Sequence, residues 1–154
     1  MTLRLVLVNP KIPPNTGNIA RTCAATGTPL HLVGPLGFEI SDRHLKRAGL
    51  DYWPHVDLTL HPDWVTFDHH QREMGGRRIG FSVRGTEDYH RFEFCLNDWL
   101  LMGSETEGLS EDNLASCDHL IRIPMNQTHV RSLNLSVSAA IGLFEARRQL
   151  GLLG

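Results

Sequence analysis

Residues 121–150, IRIPMNQTHVRSLNLSVSAAIGLFEARRQL, decide the fold. The stretch begins as a short apolar run, passes through a polar loop and ends in a segment with helical periodicity. Polar side chains stand at four alternate positions of the first two predicted helical turns: Ser132, Asn134, Ser136 and Ser138. A helix that only filled a core would not carry hydroxyl and amide groups there. This segment is therefore predicted to build a binding site.

The same helical segment carries two apolar stripes. One contains Leu133, Val137, Ala140 and Phe144, and the other contains Leu135, Ala139, Leu143 and Ala146. Two stripes on one helix indicate burial against the core and against a partner subunit. The serines have a second interpretation, a tight-packing face, because small residues let helices approach closely.

The composition is that of a globular protein without a disulfide framework. The chain has 154 residues, of which 41% are hydrophobic and 21% charged, as expected for a single domain over residues 1–154. Its three widely spaced cysteines contain no CxxC pair, which argues for a reducing, cytoplasmic environment. The N-terminal apolar run is too short for a signal peptide or a membrane span, so no membrane partner is expected.

Charge and histidine content leave the ligand class open. The net charge is −2, but thirteen arginines stand against two lysines. Arginine suits phosphate binding and stacking on bases, although a GC-rich genome would produce the same bias. His69 and His70 point to different faces of a predicted helix and the other histidines are scattered along the sequence, so no metal site is predicted.

Short apolar runs alternate with helical segments along the whole chain. Strands are predicted at residues 3–8, 30–33, 55–60, 78–83, 99–103 and 120–123, and helices at 15–27, 41–48, 62–74 and 110–117 and in the C-terminal segment. This alternation is typical of an α/β domain with a mainly parallel sheet flanked by helices. In such folds ligands bind at the carboxyl ends of the strands.

Four loops are expected at that edge, at residues 9–18, 84–87, 103–108 and 124–132. The third reads GSETEG and lacks the Lys-Ser/Thr of a phosphate-binding P-loop. It either holds a nucleotide-like ligand with its backbone or is a simple strand-to-helix turn.

Three motifs in order resemble those of the SPOUT RNA methyltransferases. They are NTGNIAR at 15–21, a strand ending in GSETEG, and IPM followed by SLNLSVSAAI. Residues 10–38, RAGLDYW at 47–53 and FEARRQ at 144–149 resemble the small family that 2′-O-methylates the wobble nucleotide of tRNA. The resemblance covers about residues 5–150.

The resemblance implies a fold, a cofactor and a set of contacts. SPOUT domains form a C-terminal trefoil knot that binds S-adenosylmethionine, and they act as homodimers with the site near the interface. The implied substrate is cytidine or uridine 34 of tRNA. By motif position, the cofactor contacts are Ser82, Gly103, Glu105, Ile123, Met125, Ser132 and Leu133.

Methyl transfer to a ribose 2′-OH requires in-line positioning and loss of the hydroxyl proton. The resemblance places Arg21 at that hydroxyl, uses Asn134 and Asn15 to orient the ribose or the first motif, and brings Arg131 to an RNA phosphate. Neutralising an arginine near pH 7 costs about 9 kcal/mol, so Arg21 is a poor base. Arg21 is instead expected to bind the adjacent phosphate and stabilise the developing alkoxide, while phosphate or water takes the proton.

Other interpretations remain open at this stage. Arg21 could be a surface residue, and Asn15 could be only the N-cap of its helix. Glu107 adds negative charge where related sequences often carry a basic residue. The alternative functions are a non-catalytic RNA-binding or assembly factor, a methyltransferase acting on another RNA, and a small dehydrogenase, which the missing GxGxxG after the first strand disfavours.

Overall fold

A seven-stranded sheet forms the centre of the computed structural model, which describes residues 2–41, 43 and 52–154. The strand order is β3-β2-β1-β6-β4-β7-β5, and every neighbouring pair is parallel. The predicted parallel α/β sheet is confirmed. The strands are β1 Arg4–Val8, β2 Leu30–Val33, β3 Leu58–His61, β4 Arg78–Phe81, β5 Glu87–Asp88, β6 Trp99–Met102 and β7 His119–Arg122.

Helices cover both faces of this sheet because successive strand residues point to opposite sides. Leu5 and Leu7 of β1 belong to a core cluster with residues of the first and last helices, whereas Val6 and Val8 join a second cluster. The helices are α1 Pro13–Thr26, α2 Trp64–Met74, α3 Glu111–Ser116 and α4 Leu135–Gln149. No helix in the described part of the chain is long and apolar enough to cross a membrane.

Several predicted boundaries differ from the observed ones. Helix α1 begins at Pro13 with Ile12 as its N-cap, so the prediction that Asn15 caps it was wrong. Proline is favoured in the first helical turn because the missing N–H has no partner there anyway. Strand β3 begins at Leu58, after a short 3-10 turn at Trp53–His55, and the two-residue β5 lies in a stretch predicted as a loop. The helix predicted at 41–48 falls largely outside the described residues.

Helix α4 begins later than its sequence pattern suggested. Asn134 is its N-cap, so Ser132 lies in the preceding loop and only Ser136 and Ser138 lie within the first turn. One predicted stripe, Leu135, Ala139, Leu143 and Ala146, is buried as expected. Val137 and Phe144 of the other stripe are exposed by 46% and 45%, so they are available for a contact outside this chain.

Three histidines that are distant in sequence meet between β2, β3 and α2. The ligand nitrogens of His31, His61 and His70 lie within 4.8 Å of one another, and burial lowers the pKa of His31 to about 3. The rings of His31 and His61 are nearly coplanar, with Nδ1 and Nε2 facing each other at 2.9 Å. Two ligands of a tetrahedral zinc stand about 3.3 Å apart, with lone pairs that converge on the metal. The pair therefore has the geometry of a hydrogen bond between two neutral imidazoles.

A buried carboxylate fixes the segment before β6. Asp98 is fully buried and accepts two hydrogen bonds from the Arg77 guanidinium, both 2.9 Å, and one from the Cys95 N–H at 2.7 Å. These bonds to Asp98 raise the pKa of Arg77. Every oxygen of this carboxylate has a partner, so the charge is tolerated inside the protein.

We expect Asp98→Ala to lower the free energy of unfolding by about 3 kcal/mol, because it leaves Arg77 without its partner and the Cys95 amide without an acceptor. Urea unfolding followed by circular dichroism measures the change. Asp112→Ala, on the exposed face of α3, is the matched control and should change it by less than about 0.5 kcal/mol. Equal effects of the two substitutions would contradict this account.

Candidate active site

A cavity of about 440 Å³ opens at the carboxyl ends of β4, β6 and β7. Its walls come from the loops after these three strands and from the start of α4. All seven residues expected to contact a cofactor line it: Ser82, Gly103, Glu105, Ile123, Met125, Ser132 and Leu133. Arg131, expected at an RNA phosphate, lines the same cavity. The structure thus brings together residues that span more than fifty positions of the sequence.

The loop after β6 closes tightly on itself and requires a glycine at its start. A Cβ on Gly103 would stand 1.9 Å from the carbonyl carbon of Gly108, which has a φ of +67°. The bridge between Ser104 and Gly108 and the hydrogen bond from the Glu107 N–H to Ser104 Oγ hold the turn. The two ends of this loop are therefore held in close contact on this side of the cavity.

Glu105 joins this loop to the loop before α1. Its carboxylate accepts hydrogen bonds from the backbone N–H groups of Lys11 at 2.8 Å and Ile12 at 2.7 Å, and from Asn15 Nδ2 at 3.4 Å. A negative charge is favourable at the N-terminus of a helix, where the amide groups have no helical partner. Glu105 thus lines the cavity and also holds the first motif in place. Its position at the cofactor was expected from the family resemblance, but its bonds to the first motif were not.

Asn15 and Asn134 connect the first motif to the third. Asn15 is 8% exposed, and its Oδ1 accepts a hydrogen bond from Asn134 Nδ2 at 3.1 Å. The Oδ1 of Asn134 caps α4 by accepting from the N–H groups of Ser136 and Val137. Neither asparagine lines the cavity, and both side chains bind protein groups. In this geometry they hold the motifs together.

Arg21 lies outside the cavity, on the exposed surface of α1. Its guanidinium stacks on the ring of Tyr52, with the carbon atom 4.7 Å from the ring centroid. Such stacking orients the guanidinium while its N–H groups stay available to a phosphate. Local sequence patterns do not predict this partner, because Tyr52 is thirty-one positions away from Arg21 in the chain.

The negative charge of Glu107 has a local counterion. Lys11 Nζ lies 3.0 Å from a carboxylate oxygen of Glu107. Both side chains are well exposed, so the pair adds little stability. The pair does offset the extra negative charge that Glu107 adds, relative to the family pattern, near an RNA-facing loop.

Residues 2–144 match the profile of the family described as "SpoU rRNA Methylase family". The chain belongs to this family. A protein from Synechocystis named "Putative tRNA (cytidine(34)-2'-O)-methyltransferase" is 61% identical over 99% of both chains. A protein from Burkholderia ambifaria named "tRNA (cytidine(34)-2'-O)-methyltransferase" is 43% identical over 97% of both chains.

Solved structures of RNA methyltransferases share the fold. One, described as "Structural insights into the 2-OH methylation of C/U34 on tRNA", matches with a TM-score of 0.93 and 49% identity over 97% of both chains. The SpoU methyltransferase AviRb from Streptomyces viridochromogenes, in complex with the cofactor AdoMet, matches with a TM-score of 0.86 and 28% identity. That match covers 97% of this chain and 60% of AviRb. The fold class implied by the SPOUT resemblance is confirmed.

We expect Glu105→Gln to lower the free energy of unfolding by about 2 kcal/mol, since it replaces charge-assisted hydrogen bonds to two backbone amides. Hydrogen exchange should accelerate at the amides of Lys11 and Ile12, as followed by NMR. Glu107→Gln, two residues away, is the control: the Glu107 carboxylate pairs with the exposed Lys11 side chain, so this substitution should leave both measurements nearly unchanged. Unaltered protection of these amides in Glu105→Gln would show that the carboxylate does not hold the first motif.

Proposed function

We propose that this protein transfers the methyl group of S-adenosylmethionine to the ribose 2′-OH of nucleotide 34, cytidine or uridine, in tRNA. One observation carries the proposal: the seven residues expected at the cofactor converge on a single cavity at the carboxyl ends of the strands. The names of the Synechocystis and Burkholderia relatives and the C/U34 structure support the substrate.

The cavity fits the cofactor in size and in character. Its volume of about 440 Å³ lies within the range of small-molecule sites, roughly 300–1,000 Å³. Apolar side chains and loop backbone suit an adenosine, and the lining includes three glutamates and two arginines, which suits a ligand with a net positive charge. When bound, S-adenosylmethionine supplies an electrophilic methyl group on its sulfonium. The residues that would hold it are the seven named above.

Arg21 is assigned to the reacting end of the RNA. Oriented by its stacking on Tyr52, the guanidinium is assigned to bind the phosphate next to nucleotide 34 and to stabilise charge that develops on the 2′ oxygen. Arg131, at the cavity edge, is assigned to a further phosphate. A guanidinium is a poor base near pH 7, so the hydroxyl proton is assigned to phosphate or water.

Asn15 and Asn134 are assigned to hold the RNA-facing motif against the cofactor loops. Asn134 caps α4 and binds Asn15, which in turn donates to Glu105. A displacement of this chain of hydrogen bonds would move Arg21 relative to the cavity. Methyl transfer is sensitive to such displacement because it requires in-line alignment of the reacting atoms.

The trefoil knot is also part of the proposal. β7 lies between β4 and β5, although the chain runs from β4 through β5 to β6 before it makes β7. The segment 82–98 therefore spans the position that β7 occupies. The Gly85 backbone is so close to β7 that a Cβ there would stand 2.4 Å from the carbonyl carbon of Ile121. This arrangement suits a chain that passes through the 82–98 segment on its way to α4.

A homodimer with α4 at its interface completes the assembly that we propose. Val137 and Phe144 are exposed on α4, and the exposed Leu133 lies at its start and also lines the cavity. A partner that covers this stripe would therefore lie close to the cavity. We further propose that residues 1–154 form one domain and act on tRNA in the cytoplasm.

The activity is tested by incubating the protein with methyl-labelled cofactor and unmodified tRNA, followed by mapping of the modified nucleotide. We expect label on the ribose of nucleotide 34 and none on tRNA with a 2′-deoxy nucleotide there. Label at another nucleotide would overturn the substrate assignment. Cofactor binding without transfer to any RNA would favour the non-catalytic alternative.

We expect Arg21→Ala to lower kcat by about 10²–10³, the usual effect of removing one preorganised charge-stabilising group. Arg21→Lys keeps the charge but loses the planar fork, so it should remain at least about tenfold below the wild-type rate. Binding of S-adenosylhomocysteine, measured by calorimetry, should be unchanged in both. Near-wild-type turnover of Arg21→Lys would refute the role given to the guanidinium.

We expect the double variant Val137→Glu/Phe144→Glu to sediment as a monomer in analytical ultracentrifugation, because it puts two charges into the proposed interface. Val65→Glu is the control, since Val65 is 75% exposed on α2, a different helix. Dimers of unchanged stability in the α4 variant would place the interface elsewhere.

A further inference from the structure

We propose that Arg84 and Glu111 form the subsite for the amino-acid end of the cofactor, with Arg84 binding the α-carboxylate and Glu111 the α-ammonium group. The inference rests on the proposed function, because it assumes that the cavity holds S-adenosylmethionine. It assigns two residues that the motifs of the family resemblance did not indicate.

Arg84 and Glu111 form an ion pair on the cavity wall. Arg84 follows β4, and its N–H donates to Ser82 Oγ at 3.1 Å, so its backbone is anchored at an expected cofactor residue. Glu111 is the first residue of α3. Arg84 Nη1 donates to Glu111 Oε1, and both side chains line the cavity. The pair therefore presents a positive and a negative group side by side to a ligand.

The pair lies at the open end of the cavity. The side chains of Arg84 and Glu111 are 60% and 79% exposed, whereas Phe81, Leu109 and Leu114 on the cavity wall are exposed by 7–8%. A ligand with an apolar nucleoside and a zwitterionic tail matches this gradient. The nucleoside would contact the buried wall, and the tail would reach the mouth, where solvent and the two charges meet.

Binding would exchange one ion pair for two. An amino-acid carboxylate accepts two parallel N–H bonds from a guanidinium, and an ammonium group donates to a carboxylate. The internal Arg84–Glu111 pair is exposed and therefore weak, so separating it costs little. Each side chain then gains an opposite charge on the ligand, and no proton needs to move.

The other charged residues of the cavity are less suited to this task. Glu105 is occupied by the backbone amides of Lys11 and Ile12, and Glu107 pairs with Lys11 Nζ. Arg131 forms no ion pair with any residue that the structure describes, so no acidic partner stands beside it to bind the ammonium group, and the proposed function assigns it to an RNA phosphate. Within the described ranges, Arg84–Glu111 is the one ion pair with both members on the cavity wall.

The test compares three nucleosides by isothermal titration calorimetry with the full chain. S-adenosylhomocysteine carries the complete amino-acid end, decarboxylated S-adenosylmethionine lacks the carboxylate, and 5′-methylthioadenosine lacks both charged groups. We expect Arg84→Gln to weaken S-adenosylhomocysteine binding about tenfold, which corresponds to about 1.4 kcal/mol. Its affinity for the other two nucleosides should stay within about twofold of wild type.

Glu111→Gln should weaken the binding of the two ligands that carry the ammonium group, S-adenosylhomocysteine and decarboxylated S-adenosylmethionine. It should leave the affinity for 5′-methylthioadenosine unchanged. Arg72→Gln, an exposed arginine on α2, is the control and should leave all three affinities unchanged. Arg131→Gln, on the same cavity, tests the competing contact to the carboxylate and should weaken S-adenosylhomocysteine binding less than Arg84→Gln does. Higher salt should weaken S-adenosylhomocysteine binding in the wild type more than in Arg84→Gln.

Two results would overturn the subsite: equal losses for all three nucleosides in Arg84→Gln, or no loss for any. A larger effect of Arg131→Gln on S-adenosylhomocysteine would also overturn it, by moving the carboxylate contact to that residue. A wild-type chain that binds none of the nucleosides would overturn the cofactor assignment itself. Normal nucleoside binding without tRNA methylation would overturn only the proposed substrate, so the two failures are distinguishable.

Discussion

The site depends on the carboxylate of Glu105. This carboxylate lines the cavity and also binds the loop before α1 and the Asn15 side chain. Helix α1 starts with two prolines and with Ile12 as a cap that offers no side-chain acceptor. The amides of Lys11 and Ile12 therefore need an acceptor from elsewhere, and a carboxylate is the strongest available. Glu105 of the second motif thus supplies the acceptor that the amides beside the first motif lack.

The chain of hydrogen bonds continues from Glu105 through Asn15 to Asn134, and so to the start of α4. Asn134 also caps α4, and Glu105 also binds the backbone before α1. The same side chains therefore stabilise local structure and set the distances between motifs. This explains why neither asparagine lines the cavity although both lie in the family motifs. Residues of this kind act on chemistry through position, because a shift of about 1 Å is enough to misalign reacting atoms.

The parallel sheet explains why such distant residues meet. Parallel strands end at one edge, so the loops after β1, β4, β6 and β7 gather there regardless of their order in the chain. The layers beneath are conventional: Leu5 and Leu7 face one helical layer, and Val6 and Val8 face the other. Charge is concentrated at the open edge, where Arg84, Glu111 and Arg131 stand around the cavity mouth. Such charges remain solvated and can change partners at little cost.

The sequence by itself determined the α/β class and the position of nearly every strand, and the family resemblance indicated seven cofactor residues that line the cavity. Alternating apolar runs and helical periodicity are local signals, and the three motifs identify which loops belong together. Only the tertiary structure decided the partners: Glu105 with the Lys11 and Ile12 amides, Arg21 with Tyr52, Arg84 with Glu111, and His31 with His61. The predicted start of α1 was wrong because asparagine is a favoured N-cap residue, whereas the helix begins two residues earlier, at Pro13. The side chain of Asn15 instead accepts a hydrogen bond from Asn134. Contacts of this kind join residues far apart in the chain, and no periodicity within one segment encodes them.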